Sequence, residues 1–265
     1  MPIPLEKTTH RLDGFPEAQV DLIRGRMGAI PTAPWPRLEG CLAALATSRT
    51  GSTYLTRELE TAFDISRMRE SLNPAQMKGR AAAEIVAQRR GAWFAFKADW
   101  TSVIAAELSG FFDAYFSVTS FILLARRDIV AQAVSCVKAK QTGQWHSNQK
   151  STAAAVYDGA DIARYISLIA GGVDILRLYA ERSGRPWRSA VYEDFAQGDF
   201  TLVMAACDSL GVPRRRAGSH IRPMPVERIG DATNEAWAAR FREDAGPPIR
   251  DRIERYVARV NEVAS

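Results

Sequence analysis

The stretch Cys41-Leu-Ala-Ala-Leu-Ala-Thr47, followed by Ser48-Arg-Thr-Gly-Ser-Thr53, decides the fold of this chain. The first part is short, apolar and bounded by turn residues, which is typical of a buried parallel strand. The second part is a turn of small residues, and a helical pattern continues from residue 54 to about residue 63. Strand, small-residue loop and helix in this order open a phosphate-binding α/β fold.

Strands and helices alternate along the rest of the chain. The patterns predict further strands at 92–97, 121–125 and 187–192. They predict helices over 74–89, from Asp128 as N-cap to about 141, over 151–181 with an interruption near Gly171-Gly172, over 202–210, and over 234 to about 263 with a break at Gly246-Pro-Pro248. This alternation predicts an α/β fold in which helices flank a central parallel sheet, a P-loop-like three-layer architecture. We expect residues 1–39 to be an irregular lead-in and residues 40–265 to form the domain.

The composition is that of a globular protein with a mildly basic balance. The 265 residues are 46% hydrophobic and 25% charged, with a formal net charge of +5 and a pI of about 9.3. This balance favours anionic ligands in general, but an ordinary basic surface explains it as well. Three widely spaced cysteines offer neither a disulfide framework nor a zinc site, which suits a reducing compartment. Without an apolar signal sequence or a span of about 20 apolar residues, we expect a cytoplasmic protein with no membrane segment.

The loop Arg49-Thr-Gly-Ser-Thr53 has the residues that a phosphate site needs. Gly51 allows a tight bend, Ser52 and Thr53 add hydroxyl donors, and Arg49 adds a fixed positive charge. No lysine follows Gly51 as it would in a Walker A loop, which counts against magnesium-assisted ATP hydrolysis. An ordinary serine-rich turn explains the loop equally well, so the prediction depends on a second site.

That second site is Leu124-Ala-Arg-Arg-Asp-Ile-Val-Ala-Gln-Ala-Val-Ser135. Arg127 ends a predicted strand, and Ser135 follows eight positions later on the next helix. If the helix packs back on the sheet, both side chains can face one anion at the carboxyl end of the strand, where open α/β sheets bind ligands. The planar fork of donors on arginine suits this task.

The second stretch, continued to Gln144-Trp145, resembles the trehalose 2-sulfotransferase-like family of bacterial sulfotransferases, which use 3'-phosphoadenosine 5'-phosphosulfate (PAPS). The resemblance extends from about residue 41 to 242, and four further matches support it. They are the loop SRTGST, Trp93-Phe-Ala-Phe-Lys-Ala-Asp-Trp100, Val191-Tyr-Glu-Asp-Phe195 and Asn234-Glu-Ala-Trp237.

The resemblance implies a donor site for PAPS and an activity. The activity is transfer of a sulfuryl group to a hydroxyl of a carbohydrate, glycolipid or similar small acceptor. The 5'-phosphosulfate is expected on the loop residues Arg49, Thr50, Gly51, Ser52 and Thr53. Arg127 and Ser135 are expected to bind the 3'-phosphate, and Arg228 resembles a basic segment that closes over the nucleotide. The family contains dimers, so the resemblance also allows a homodimer.

Sulfuryl transfer needs aligned oxygens and cations that neutralise developing charge. Arg49 and Lys97 are the candidate cations, and no metal is required on chemical grounds. A carboxylate must take the proton of the acceptor hydroxyl. By the resemblance Glu70 is the candidate base, with Asp99 as its rival, and a surface charge or a helix cap is the alternative explanation for each carboxylate.

The acceptor contacts are predicted at Gln141, Trp145 and His146, although Trp145 is as easily a core residue. Two other functions stay open at this point. One is a P-loop kinase-like phosphotransferase that uses ATP, and the other is a non-catalytic basic nucleotide- or nucleic-acid-binding module. We find no nucleic-acid recognition motif, so no nucleic-acid partner is expected. The basic run Arg214-Arg-Arg216 is read as a solvated loop.

Overall fold

A computed structural model describes residues 38–69, 91–145, 149–215 and 231–264. These residues form a five-stranded sheet with strands β1 Leu38–Ala46, β2 Ile65–Arg69, β3 Trp93–Ala98, β4 Phe116–Ala125 and β5 Trp187–Val191. The strand order is β2-β3-β1-β4-β5, and every neighbouring pair is parallel. The predicted central parallel sheet is confirmed.

The helices lie between and after the strands. They are α1 Ser52–Ala62, α2 Trp100–Leu108, α3 Phe111–Tyr115, α4 Ile129–Thr142, α5 Gly159–Arg182, α6 Tyr192–Ala196, α7 Thr201–Ser209, α8 Ala232–Asp244 and α9 Pro247–Ala264. The chain first moves to one side of β1, to β2 and β3, and then returns to β4 on the other side. The crevice between the carboxyl ends of β1 and β4 is therefore the switch point at which open α/β sheets bind ligands.

Alternation along β1 builds the three layers. Cys41, Ala43 and Leu45 join a core cluster that includes residues of α2, α3 and α5. Leu42 and Ala44 point the other way and pack with residues of α1 and α7. Because successive side chains of a strand point to opposite faces, an all-apolar strand buries both faces of the sheet under helices. A third cluster joins α4, α5, α8 and α9 beyond the end of β4.

The predicted interruption of the long helix at Gly171-Gly172 is wrong. Helix α5 runs without a break through this pair, and Asp158 caps its start by accepting from the Asp161 N–H at 2.8 Å. A Cβ placed on Gly172 would lie only 2.8 Å from the Thr47 Cγ2 atom. The glycine thus serves the close approach of α5 to the end of β1, rather than a break.

Other differences concern element bounds. Strand β2 and helices α2 and α3 were not predicted, and β4 begins five residues earlier than expected. The predicted break near Gly246 is confirmed between α8 and α9, and Asp128 caps α4 as predicted. Strand β1 begins at Leu38, inside the segment predicted as a lead-in. The predicted helix over 74–89 lies outside the described residues.

Candidate functional site

The loop between β1 and α1 turns sharply at two left-handed residues. Arg49 has φ 65° and Gly51 has φ 86°, and Arg49 is the one non-glycine residue with positive φ in the described ranges. Gly51 is the N-cap of α1 and provides no side-chain hydrogen bond to the helix. The first N–H groups of α1 therefore have no side-chain cap. They can donate to an anion bound in the loop.

The hydroxyls of this loop have different tasks. The Thr50 hydroxyl is buried and donates to the Thr47 carbonyl at 3.0 Å, which holds the turn. The Thr53 hydroxyl lies at the start of α1 and accepts from Lys97 Nζ at 2.8 Å. Ser52 begins α1 and is half-buried. The Thr50 hydroxyl is therefore engaged within the turn, whereas Ser52 and Thr53 present hydroxyls at the helix start.

Lys97 brings a second cation to the loop from the neighbouring strand. It precedes the last residue of β3, is only 9% exposed, and reaches across to Thr53. Since β3 is parallel to β1, its carboxyl end lies at the same edge of the sheet as the loop. The structure thus brings the two predicted cations, Arg49 and Lys97, to the same loop.

Arg49 joins the loop to the segment after α4. Its Nε donates to the Ser135 hydroxyl at 2.9 Å, and its Nη1 donates to the Trp145 carbonyl. Burial lowers the pKa of Arg49, and the nearby positive charge of Arg126 lowers it further. A partly buried guanidinium beside another cation favours an anionic ligand that would balance both charges.

Arg127 turns away from this cluster. Its guanidinium donates to both carboxylate oxygens of Asp194, at 2.5 and 3.0 Å, and its Nε donates to Asn261 at 3.0 Å. The hydrogen bonds of Arg127 and Ser135 therefore run to different partners, although we expected both side chains to face one anion. The assignment of Arg127 to a 3'-phosphate stays a prediction.

Arg126, which no sequence pattern singled out, lies beside the loop. Its guanidinium carbon is 4.7 Å from the centre of the Tyr192 ring, and that ring packs against Gly51 so closely that an added Cβ would lie at 2.4 Å. Arg126 Nε is 3.6 Å from Glu193 and has no hydrogen-bond partner within the described part of the chain.

The alternation of β4 is the signal that would have found Arg126. Leu124 packs with α1, on the side of the sheet that carries the loop, whereas Ala125 packs with α4 and α9. A strand extended by two residues sends side chain 126 to the first side and side chain 127 to the second.

Asp99, the rival base, caps helix α2. Its Oδ1 accepts from the Ser102 N–H at 2.8 Å and from the Thr101 hydroxyl at 2.7 Å. The bond from the Ser102 N–H satisfies a backbone donor of the helix start, so Asp99 is a helix cap, which is the alternative that the sequence left open for this carboxylate.

The predicted acceptor residues are only partly described. The side-chain amide of Gln141 is engaged on both atoms by the backbone of Val156, at 3.0 and 2.8 Å, so it holds the segment before α5. Trp145 is 37% exposed and is not a core residue, and its backbone N–H donates to Gln149 Oε1 at 2.7 Å. Glu70, His146 and Arg228 lie outside the described residues.

The described residues contain neither a helix able to span a membrane nor a cluster of metal ligands. None of their helices has the length and apolar character that would let it cross a membrane. In the same residues, no group of three or more His, Cys, Asp and Glu side chains is arranged to hold a metal ion.

Two solved sulfotransferase domains share the fold. The sulfotransferase domain from the curacin biosynthetic pathway is 14% identical, with a TM-score of 0.50 over 85% of this chain and 99% of that domain. The sulfotransferase domain from the Synechococcus PCC 7002 olefin synthase is 15% identical, with a TM-score of 0.50 over 86% of this chain and 97% of that domain. At these identities the likeness establishes the fold. No curated protein matches the chain in sequence.

A family model gives the more specific comparison. The model described as Stf0 sulphotransferase matches residues 72–244, which is more than half of the chain. The matched range contains Ser135 and both arginines after β4, while the loop at Gly51 precedes it. The resemblance drawn from the sequence is confirmed at the level of the family, and family and fold together support sulfuryl transfer. The chain belongs to the Stf0 sulphotransferase family.

Proposed function

We propose that the protein is a PAPS-dependent sulfotransferase that sulfates a hydroxyl of a carbohydrate, glycolipid or similar small acceptor. The observation that carries the proposal is the bond from Arg49 to Ser135 at 2.9 Å. It joins two anion-binding elements, the loop after β1 and the face of α4, in one crevice. A donor with a sulfated phosphate at one end and a second phosphate at the other fits such a pair.

The loop is suited to the 5'-phosphosulfate end of the donor. The uncapped start of α1 supplies backbone N–H groups, and Arg49, Ser52, Thr53 and Lys97 add donors or positive charge around it. The phosphosulfate has five terminal oxygens that share two negative charges, which calls for several donors and cations around it. Gly51 lets the backbone approach the anion closely.

Ser135 is suited to the 3'-phosphate end, together with Arg126. Arg126 lies next to Arg49, carries a buried Nε without a described hydrogen-bond partner, and stacks on Tyr192. Arg127, in contrast, is engaged by Asp194 through a bidentate pair. We therefore favour Arg126 over Arg127 as the arginine that binds the 3'-phosphate.

Arg228 is a further candidate for this end of the donor. Asp231 is the first described residue after Arg228. It caps α8 and accepts from Lys138 Nζ at 2.6 Å. Lys138 lies three residues after Ser135 on α4, so the two share a face of the helix. Arg228 is three residues from Asp231, which a chain can span in at most about 11 Å.

The chemistry is a displacement at sulfur. The bond between sulfur and the phosphate oxygen of the donor breaks as the acceptor oxygen bonds to sulfur, and the nucleotide leaves as adenosine 3',5'-bisphosphate (PAP). Lys97 and Arg49 are placed to neutralise the charge that develops on the bridging and terminal oxygens. The acceptor proton passes to a carboxylate, for which Glu70 remains the proposed base because Asp99 is committed to capping α2.

The acceptor is proposed to bind beside Trp145. Its partly exposed ring provides a flat apolar surface of the kind that stacks on sugars, and its carbonyl contacts Arg49 at the edge of the loop. His146 stays a candidate contact. Gln141 acts on this site through the backbone that it holds.

Incubation with ³⁵S-labelled PAPS and a panel of saccharides, glycolipids and simple alcohols tests the proposal. We expect label in at least one acceptor and a sulfate-sized mass increment on that product. The matched control is Lys97→Met, which removes a cation of the loop and should abolish transfer. Transfer of phosphate from ATP with magnesium, and none from PAPS, would refute the proposal.

A further inference from the structure

Helix α4 contacts the phosphate loop through one face, at three consecutive loop residues. Gln132, Ser135 and Cys136 lie at helical spacing of three and four, so they share this face. Ser135 receives the bond from Arg49, and the Cys136 thiol is 3.7 Å from the Ser48 carbonyl. Gln132 makes the remaining contacts, to Thr47 and to Ser48.

Gln132 is fully buried, and both hydrogens of its amide have partners. Its Nε2 donates to the Ser48 carbonyl at 2.7 Å and to the Thr47 hydroxyl at 3.0 Å, and its exposed fraction is 0%. The orientation of the amide follows from chemistry, because the Ser48 carbonyl can only accept. The other amide atom, Oε1, has no partner within the described residues. A buried amide with an unsatisfied oxygen lowers the stability of the protein. We therefore expect Gln132 to have a functional role.

The bond to Ser48 fixes a peptide that matters for anion binding. In a trans peptide the C=O and the following N–H point in opposite directions. Holding the Ser48 carbonyl against α4 therefore sets the direction of the Arg49 N–H. It also fixes the backbone at which Arg49 adopts its left-handed φ of 65°, a conformation that costs about 1–2 kcal/mol for a side chain other than glycine.

We infer that Gln132 is a positioning residue that keeps the phosphate loop in register with α4, so that the two ends of the donor are bound by one rigid unit. The inference rests on the proposed function, because it assigns Gln132 to the same donor site. Thr47 receives support from both sides, since its Cγ2 packs on Gly172 of α5 while its hydroxyl accepts from Gln132. Without the amide, the Ser48 peptide is no longer held in one orientation, and the direction of the Arg49 N–H and side chain is no longer fixed.

The test compares Gln132→Met with a matched loss of a buried polar contact elsewhere. Methionine keeps the size and removes both hydrogen bonds. Thr119→Val is the control, because Thr119 is buried in β4 away from the loop and accepts from the Cys41 thiol at 3.8 Å. Affinity for PAP is measured by isothermal titration calorimetry, and Tm by calorimetry of the free protein.

We expect Gln132→Met to weaken PAP binding about tenfold, as two lost hydrogen bonds would. Thr119→Val should bind PAP like the parent protein at a comparable loss of Tm. The ¹⁵N resonance of Arg49 Nε should also move in Gln132→Met and stay in place in Thr119→Val, which a general loss of stability would not produce. If Gln132→Met does not fold, Thr47→Val removes one of the two bonds, and about threefold weaker binding is expected.

Parent-like PAP affinity in Gln132→Met or in the substitute variant would overturn the inference and leave the proposed function intact. Equal losses of affinity in Gln132→Met and Thr119→Val would do the same. Failure of the parent protein to bind PAP would overturn the proposed function and this inference with it.

Discussion

Arg49 Nε donates to the Ser135 hydroxyl across 2.9 Å, although 86 residues separate the two in the chain. The bond crosses the crevice between the carboxyl ends of β1 and β4, where the order of the sheet reverses. It links the loop at the start of α1 to the second turn of α4, and so it makes one site from two distant motifs.

Loss of the Ser135 hydroxyl tests that link. Ser135→Ala removes the charge-assisted hydrogen bond from Arg49 and one donor to the ligand, so PAP affinity should fall about fivefold or more. The loss should be smaller for 5'-AMP, which lacks the 3'-phosphate. Ser109→Ala is the control, since this hydroxyl donates to the Ala106 carbonyl at the end of α2. Equal losses for PAP and 5'-AMP would count against a role of Ser135 at the 3'-phosphate.

The two adjacent arginines should behave differently. Arg126→Met should weaken PAP binding more than tenfold, because it removes a charge-assisted contact to phosphate. Arg127→Met should leave PAP affinity within about threefold and lower the free energy of unfolding by about 1 kcal/mol, since it leaves Asp194 without its bidentate partner. Titration calorimetry and urea unfolding measure the two effects. The reverse pattern would return the 3'-phosphate to Arg127.

The two candidate bases are separated by amide substitutions. Asp99→Asn should keep turnover within about twofold because asparagine also caps helices, whereas Asp99→Ala should cost about 1 kcal/mol of stability. Glu70→Gln should lower turnover with nearly unchanged nucleotide affinity, since an amide cannot accept the proton. Steady-state rates with the acceptor found by labelling provide the measurement. A large loss of turnover in Asp99→Asn alone would make Asp99 the base.

Substitution of Gly51 should damage the donor site through two effects. Its φ of 86° strains any other residue, and an added Cβ would lie 2.4 Å from the Tyr192 ring. We expect Gly51→Ala to weaken PAP binding about tenfold or more. Gly211→Ala is the matched control, because it has φ 71° and nothing within 4 Å of the added Cβ. It should lose about 1 kcal/mol of stability from backbone strain and keep PAP affinity. Unchanged PAP affinity in Gly51→Ala would show that the ring and loop adjust freely.

The three cysteines should be unreactive in the native protein. Burial raises the pKa of the thiols of Cys41, Cys136 and Cys207 to about 12 each. The folded pKa exceeds the ordinary value of 9.0, so the stability that each buried thiol contributes is fully present below pH 9 and is lost as the pH rises towards 12. At pH 8 a disulfide reagent should modify none of them quickly, and all three after unfolding in guanidinium. Rapid modification of a native thiol would contradict the burial of these three side chains.

The sheet and the loop could be predicted because their signals are local. An apolar run, a small-residue turn and a helical pattern follow one another directly around Gly51. Asp128, an N-cap residue, indicates the start of α4. Strand β2 was not predicted because its sequence, Ile65-Ser-Arg-Met-Arg69, has polar residues where an inner strand would be apolar. Polar residues suit its position at the edge of the sheet.

The direction in which individual side chains point was harder to predict. Arg126 and Arg127 are equal as residue types, and only the alternation of β4 decides which of them faces the loop. Gln132 gave no signal of its own, because its role depends on the Ser48 carbonyl, 84 positions away. Asp99 caps the helix that begins at Trp100, one of the two alternatives that the sequence allowed for it, and its role as a base stays a prediction.

Calorimetric titration of the parent protein with PAP, 5'-AMP and ATP–magnesium at one salt concentration shows whether one site binds both phosphate ends of the donor. We expect PAP to bind at least about tenfold more tightly than 5'-AMP, because two separate groups of donors bind its two phosphate ends. Arg126→Met should remove most of this difference. Equal affinity for PAP and 5'-AMP, or a preference for ATP–magnesium, would contradict a site with two phosphate-binding ends.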